Sequence, residues 1–223
     1  MEQMNQEERV GVKFDLKEYL KTRDKTIEVV MKVASLVFVG MSEQEGARLI
    51  DSVLEDFDCE KKWHPNKFRI GVNTLKSFRE KSDPSVRLKE NDIFFIDIGP
   101  VFNGHEGDYG RTFVLGEVKE YLDIQAACEK VFEETAKSYQ SNGLTGVELY
   151  QFAQKAATKH GYILNLKMHG HRLGDFPHAL YSKNALGKVD FSPKENLWVL
   201  EILLRHPNKE FGAFIEDLLW VCS

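Results

Sequence analysis

Three carboxylates in this chain sit where their neighbours predict burial. Asp97 lies within Ile93-Phe94-Phe95-Ile96-Asp97-Ile98, Glu201 within Trp198-Val199-Leu200-Glu201-Ile202-Leu203, and Glu216 within Ala213-Phe214-Ile215-Glu216. An ionised carboxylate in such a strand is costly unless it is paired or bound to a metal. Asn103-Gly104 is a strong tight-turn signal. A hairpin centred on it sets Gly99 opposite Asp108 and makes Asp97 the diagonal neighbour of Asp108 on the same face. Diagonal pairs lie roughly 7–8 Å apart at the backbone, within reach of one shared ion. A second hairpin centred between Asn208 and Lys209 sets Glu201 directly opposite Glu216. Two like charges facing each other across a buried ladder are destabilising on their own, and a cation reverses that.

Taken singly, each acid has an ordinary explanation in a buried arginine or a loop amide. Two per hairpin, in matching places in the two halves of the chain, favour one cluster near a pseudo-two-fold axis. Oxygen-rich ligands with one imidazole suit Mn²⁺, Co²⁺, Fe²⁺ or Zn²⁺. Four carboxylates exceed what one ion usually takes, so two divalent ions sharing bridging carboxylates are expected. Such ions lie about 3.5–4 Å apart and pull the pKa of a held water towards about 7.

Histidines supply the imidazole. His169, His171 and His178 fall within eleven residues, Met168 to His178, among glycines that let backbone come close. His64, in Trp63-His64-Pro65, stands apart. Arg79, Arg172 and Arg205 are candidates for holding an anionic group, with a solvated surface position as the plainer reading of each.

The elements that must carry these side chains are legible from periodicity. Apolar residues at three- and four-residue steps predict a helix over Asp24 to Val39, with Ile27, Val30, Met31, Ala34, Val37 and Phe38 near one face. Ser42 and Glu45 form a capping box opening a second helix. Strands are expected at Phe68 to Val72, Ile93 to Pro100 and Tyr109 to Leu115. The order then repeats: a long helix over Tyr121 to Ser141, and a helix opened by Thr145 and Glu148. Strand pieces follow at Ile163 to Leu166 and Met168 to Leu173, then a hairpin of Leu197 to Arg205 and Phe211 to Val221. Helix, helix, strands and hairpin, twice over and without a linker, predict one α/β domain spanning residues 1–223.

Composition narrows the functional classes. A net charge of −5 over 223 residues argues against nucleic acid as a partner. The N-terminus lacks a signal-like apolar core, and the longest apolar run, near Val33 to Val39, is too short for a membrane span. Cys59, Cys128 and Cys222 are scattered and odd in number, which predicts reduced thiols and a cytoplasmic location.

These residues resemble a known family, the pita-bread metallopeptidases, which include methionine aminopeptidases, Xaa-Pro aminopeptidases and prolidases. That family orders its ligands Asp, Asp eleven residues later, His, Glu, Glu, as do Asp97, Asp108, His171, Glu201 and Glu216 here. His171, Gly174 and His178 match the motif around the ligand histidine. Asp108-Tyr109-Gly110-Arg111-Thr112-Phe113 looks like the Asp-x-x-Arg-Thr-Phe of the Xaa-Pro branch. The likeness runs over roughly residues 20 to 221.

The resemblance implies a pita-bread fold, α+β in kind, with two pseudo-symmetric halves around a curved, mostly antiparallel sheet. It also implies two metal ions: Asp97 chelating one, Asp108 and Glu216 bridging both, His171 and Glu201 completing the other. Glu201 would be the general base towards a bridging hydroxide, and His178 would stabilise the tetrahedral intermediate or donate a proton. The reaction would remove an N-terminal residue, before proline. Substrates would be peptides or small molecules, and a homodimer is compatible.

Departures fall at the substrate side. A family histidine five residues after an asparagine is replaced, counting from Asn73, by Phe78, with Arg79 beside it and His64 as a stand-in. Phe214 occupies the place of an arginine two residues before the last ligand, and Ile202-Leu203 replaces a Pro-Gly after Glu201. The connection between the two glutamates is short, and no additional N-terminal domain is expected. Three activities fit: an Xaa-Pro aminopeptidase or dipeptidase, a metal-dependent hydrolase of a non-peptide substrate, and a metal-binding relative without turnover.

Overall fold

A computed structural model describes residues 5–220. Cys222 and the expected strand end at Val221 lie outside them. Among the described residues, four α-helices come in two pairs, α1 (Leu16–Ser35) with α2 (Glu43–Asp56) and α3 (Lys119–Asn142) with α4 (Gly146–Lys159), each pair followed by a run of strands, ten in all. The strands are β1 (Lys61–Lys62), β2 (Lys67–Ile70), β3 (Asp92–Ile98), β4 (Pro100–Phe102), β5 (His105–Glu106), β6 (Tyr109–Leu115), β7 (Ile163–Leu164), β8 (His171–Arg172), β9 (Trp198–Arg205) and β10 (Gly212–Leu218). The main sheet runs β2-β3-β6-β10-β9-β7, with β8 also paired to β9, and every pairing is antiparallel. A small sheet, β1-β4-β5, stands beside it.

Alternation decides which side of the sheet each residue serves. Phe94, Ile96 and Ile98 of β3 enter a core under α1 and α2. Leu200, Ile202 and Leu204 of β9 enter a second core under α3 and α4. The two halves thus bury one core each, on the helix side. Asp97 and Glu201 take the opposite face, where Phe95, Leu203 and Phe214 form a small apolar floor with Met168.

Both capping boxes form as expected, Ser42 with Glu45 and Thr145 with Glu148. The first helix differs: it begins at Leu16, capped by Asp15, and stops at Ser35. Its buried face is Tyr19, Thr22, Thr26, Val29, Val30 and Val33, whereas Met31 and Phe38 are exposed. Two buried threonines hide the period. The Thr22 hydroxyl donates to the Phe102 carbonyl, and that of Thr26 donates to the Thr22 carbonyl. The expected strand at Phe68 to Val72 ends at Ile70 and turns into a 3₁₀ segment, Gly71–Leu75.

The Asn103-Gly104 turn takes positive φ at both residues, 49° and 69°, as a type I′ turn requires. The hairpin bends between Ile98 and Tyr109, so its tip joins β1 while its base stays in the main sheet. Asp108 falls in the short break between β5 and β6. Cys59 and Cys128 are free thiols, and no helix among the described residues is long and apolar enough to cross a membrane.

Candidate metal centre

The two hairpins meet along β6 and β10, where Glu216 pairs with Gly110. Gly110 pairs on its other side with Asp97, and Glu216 with Glu201. One row across β3, β6, β10 and β9 therefore reads Asp97, Gly110, Glu216, Glu201. The glycine leaves room for the neighbouring strand's side chains: a Cβ there would lie 2.5 Å from Phe214 Cε1 and 3.2 Å from Glu216 Cβ. Exposure of the four acids is 3%, 1%, 2% and 9% for Asp97, Asp108, Glu216 and Glu201. The Thr112 hydroxyl fixes this seam by donating to the Phe214 carbonyl (2.9 Å) and accepting the Phe214 N–H (2.6 Å).

Imidazoles flank the row. His171 Nε2 lies 2.9 Å from Asp108 Oδ2 and 3.3 Å from Glu216 Oε1. His64 Nε2 lies 3.5 Å from Asp108 Oδ1 and 3.6 Å from Asp97 Oδ1. Asp108 thus belongs to two groups with metal-ligand spacing: His64, Asp97 and Asp108, and Asp108, His171 and Glu216. Both Asp108 oxygens are buried, and among the described residues neither has a hydrogen bond of good geometry, despite the short approach of His171. A buried carboxylate left in that state needs a counter-charge.

Glu201 is held differently. Its Oε2 accepts the Gly170 N–H at 2.6 Å, and the Tyr150 hydroxyl bridges its backbone N–H and carbonyl on the edge of β9 away from β10, in the gap between β7 and β8. The electrostatics reflect crowding. Burial, countered in part by His64, pushes Asp97 up to about 7. Burial, Asp108 and Glu201 push Glu216 well above the carboxylate range, and burial raises Glu201. Burial also works against ionised Asp108, but His171 and His64 overcome it and hold that carboxyl at about 2.

Beside the cluster opens a cavity of about 650 Å³, lined on one side by Phe78 and Met168 and at its mouth by Arg79 and Lys167. His178 faces it with its ring stacked on Trp63, centroids 3.8 Å apart, and with Nδ1 3.1 Å from Glu106 Oε2. Arg172 and Arg205 do not line it. The Arg172 guanidinium donates instead to the carbonyls of Glu7 and Arg9, and Arg205 is exposed at the end of β9. His169 packs on Tyr150 at the cavity edge.

Sequence reasoning missed Trp63 and Glu106. Glu106 carried a legible signal, since it precedes Asp108 by two and so shares its face in an extended chain. Trp63 carried none beyond its place next to His64.

The sequence profile of metallopeptidase family M24 matches residues 17–222. The chain belongs to this family. Among curated relatives, the methionine aminopeptidase of Clostridium perfringens is 32% identical over 134 residues, 58% of this M24 chain and 51% of that protein. The Xaa-Pro dipeptidase of Pyrococcus furiosus is 25% identical over 154 residues, 66% of this chain and 42% of the relative. The M24 chain therefore spans about half, or less, of the length of these relatives. Of solved structures, the X-Pro aminopeptidase of Thermotoga maritima superposes with a TM-score of 0.74 at 18% identity, covering 93% of this chain and 61% of the other. The methionine aminopeptidase of Thermotoga maritima gives 0.71 at 14%, covering 95% and 98%. At such identities the likeness establishes the fold, the pita-bread architecture expected from the sequence.

Proposed function

We propose that this M24 chain is an exopeptidase that releases the N-terminal residue of short peptides, preferring Xaa-Pro substrates, at a pair of divalent ions. The observation that carries this reading is Asp108, which is buried, without a well-formed hydrogen bond among the described residues, and common to both ligand groups. Asp97 would hold one ion, His171 and Glu201 the other, with Asp108 and Glu216 shared. This donor set suits Mn²⁺, Co²⁺, Fe²⁺ or Zn²⁺. When bound, such ions polarise the scissile carbonyl and acidify water.

The chain's own groups supply the rest. Glu201, with Oε2 anchored by the Gly170 N–H, would take the proton of the attacking water. His178, oriented by Glu106 and Trp63, faces the cavity as the donor to the developing oxyanion or to the leaving amine. Phe78 and Met168 offer an apolar wall for a proline ring, backed by buried Phe95 and Phe214. Exposed Arg79 at the mouth gives a dipeptide's terminal carboxylate a partner.

The sequence Arg111-Thr112-Phe113 after Asp108 favours the Xaa-Pro branch over the methionine branch. One observation favours a second reading: Phe78 replaces a substrate-side histidine, which points to a non-peptide substrate or to lost turnover. A panel of Xaa-Pro dipeptides, Xaa-Pro tripeptides and Met-Ala peptides, assayed with Mn²⁺ or Co²⁺, decides between them. Faster cleavage of Xaa-Pro substrates is expected. Preference for Met-Ala, or no cleavage by protein carrying its full metal complement, would overturn the first reading.

A further inference from the structure

Five ligands do not account for His64. Its ring is buried, and Nε2 points between Asp97 and Asp108 at 3.6 and 3.5 Å. Those distances are too long for charge-assisted hydrogen bonds, which fall at about 2.7–2.9 Å. They match two ligand atoms sharing one ion. With metal–N and metal–O bonds of about 2.0–2.2 Å, adjacent donors in a tetrahedral array stand about 3.3–3.6 Å apart.

The far side of the ring agrees. Nδ1 is 3.0 Å from the Pro65 carbonyl, and as its N–H donor it leaves the Nε2 lone pair facing the carboxylates. A metal-ligating histidine is usually fixed in this way by a backbone carbonyl on its other nitrogen. His171 repeats the arrangement: Nδ1 sits 3.1 Å from the Arg172 carbonyl, and Nε2 points between Asp108 and Glu216.

The backbone is also shaped for the His64 ring. A Cβ on Gly99 would lie 2.4 Å from His64 Nε2 and 2.6 Å from Trp63 Nε1. Only glycine lets the imidazole lie over the strand two residues beyond Asp97. The Trp63 N–H donates to the Gly99 carbonyl at 2.9 Å and holds the segment there.

The geometry points to His64 as a sixth protein ligand, completing the ion on the Asp97 side, so that each ion of the pair has one imidazole and Asp108 lies between them. This rests on the two-metal reading above. It would turn the Asp97 site from all-oxygen to mixed nitrogen and oxygen, favouring Co²⁺, Fe²⁺ or Zn²⁺ over Mn²⁺ at that position.

The test is Co²⁺ substitution, read without any substrate. Coordinated imidazoles give solvent-exchangeable Nδ1–H proton resonances shifted far outside the diamagnetic range. The parent protein should bind two Co²⁺ and show two such signals, with His64→Ala and His171→Ala each losing one. His64→Ala should also weaken one of the two Co²⁺ sites by about 100-fold or more, beyond what loss of an outer-shell partner typically costs. Gly99→Ala, which keeps the histidine but displaces it, should lose the same signal as His64→Ala. It guards against a folding artefact at position 64. Two bound Co²⁺ with only the His171 signal, unchanged in His64→Ala, would overturn the ligand assignment alone. A parent protein that binds no Co²⁺ would overturn the two-metal reading as well.

Discussion

Glu201 and Glu216 are direct register partners across β9 and β10, and both are buried. Sheets avoid this pairing of like charges, so the pair makes sense only with a positive charge beside it. His171, beside Glu216, provides one, but it is also shared with Asp108.

Metal should therefore stabilise the fold through this pair. At a free Mn²⁺ concentration 100-fold above Kd, one site adds about 2.7 kcal/mol, a rise in Tm of roughly 5–10 °C for a chain of this size. In Glu216→Gln that rise should shrink to less than half, while the Tm in chelator stays at or above the parent's. Differential scanning fluorimetry with EDTA and with Mn²⁺ measures both. An undiminished rise in the variant would remove Glu216 from the site.

Stripped and loaded protein should respond to pH in opposite directions. Burial lifts Asp97 to about 7 and raises Glu201 and Glu216. A carboxyl that binds its proton more tightly folded than unfolded costs stability as pH rises from its unfolded value to its folded one. His171 adds to the trend. Burial opposes its charge, but Asp108 and Glu216 raise its pKa well above the ordinary value, so its contribution is full below pH 6.5 and lost above. Asp108 acts the other way, but only as pH falls from 3.8 towards about 2. Stripped protein should lose Tm between pH 5 and 7. Loaded protein should gain it, because protons compete with metal for the same oxygens. Parallel curves in EDTA and Mn²⁺ would contradict the cluster's electrostatics.

Much of this site was legible because strands obey a period of two. Registers centred on Asn103-Gly104 and on Asn208-Lys209 place Asp97 against Gly110 and Glu201 against Glu216, and the structure has both pairs. The apolar residues around each acid marked its burial for the same reason. What remained hidden depends on contacts between distant segments. Trp63 reaches His178 only because β1 docks on the bent tip of the first hairpin. Arg172, a candidate for an anionic group with a surface position as its plainer reading, is instead buried against the N-terminal segment, where its guanidinium donates to the carbonyl of Arg9, 163 residues away in sequence. The face of α1 was misplaced because Thr22 and Thr26, polar by type, are buried through hydrogen bonds to carbonyls.

Glu106 should matter to turnover but not to metal content. It is buried, and its Oε2 fixes His178 Nδ1, which orients the opposite ring nitrogen. Glu106→Gln preserves shape but can present its N–H₂ to that nitrogen, letting the ring take the wrong tautomer. A misplaced proton donor can cost up to about 10²-fold in kcat, with KM nearly unchanged. Steady-state kinetics on the best Xaa-Pro substrate, paired with metal analysis, checks this. A full metal complement and parental kcat would show that His178 needs no such partner.

Thr112 tests whether the seam between the hairpins supports the centre. Its hydroxyl both donates to and accepts from the Phe214 backbone, two residues before Glu216. Thr112→Val keeps the volume and strands a buried N–H and a buried carbonyl. Leaving such groups unpaired costs about 1–3 kcal/mol, or a loss of roughly 2–12 °C in Tm. Because β10 carries Glu216 and β6 follows Asp108 in the chain, a looser seam should also weaken Mn²⁺ binding, whereas a cut to stability elsewhere would leave it untouched. Calorimetric unfolding and Mn²⁺ titration of the variant separate the two effects. A lower Tm with parental affinity would mean that the seam holds the fold without aligning the ligands.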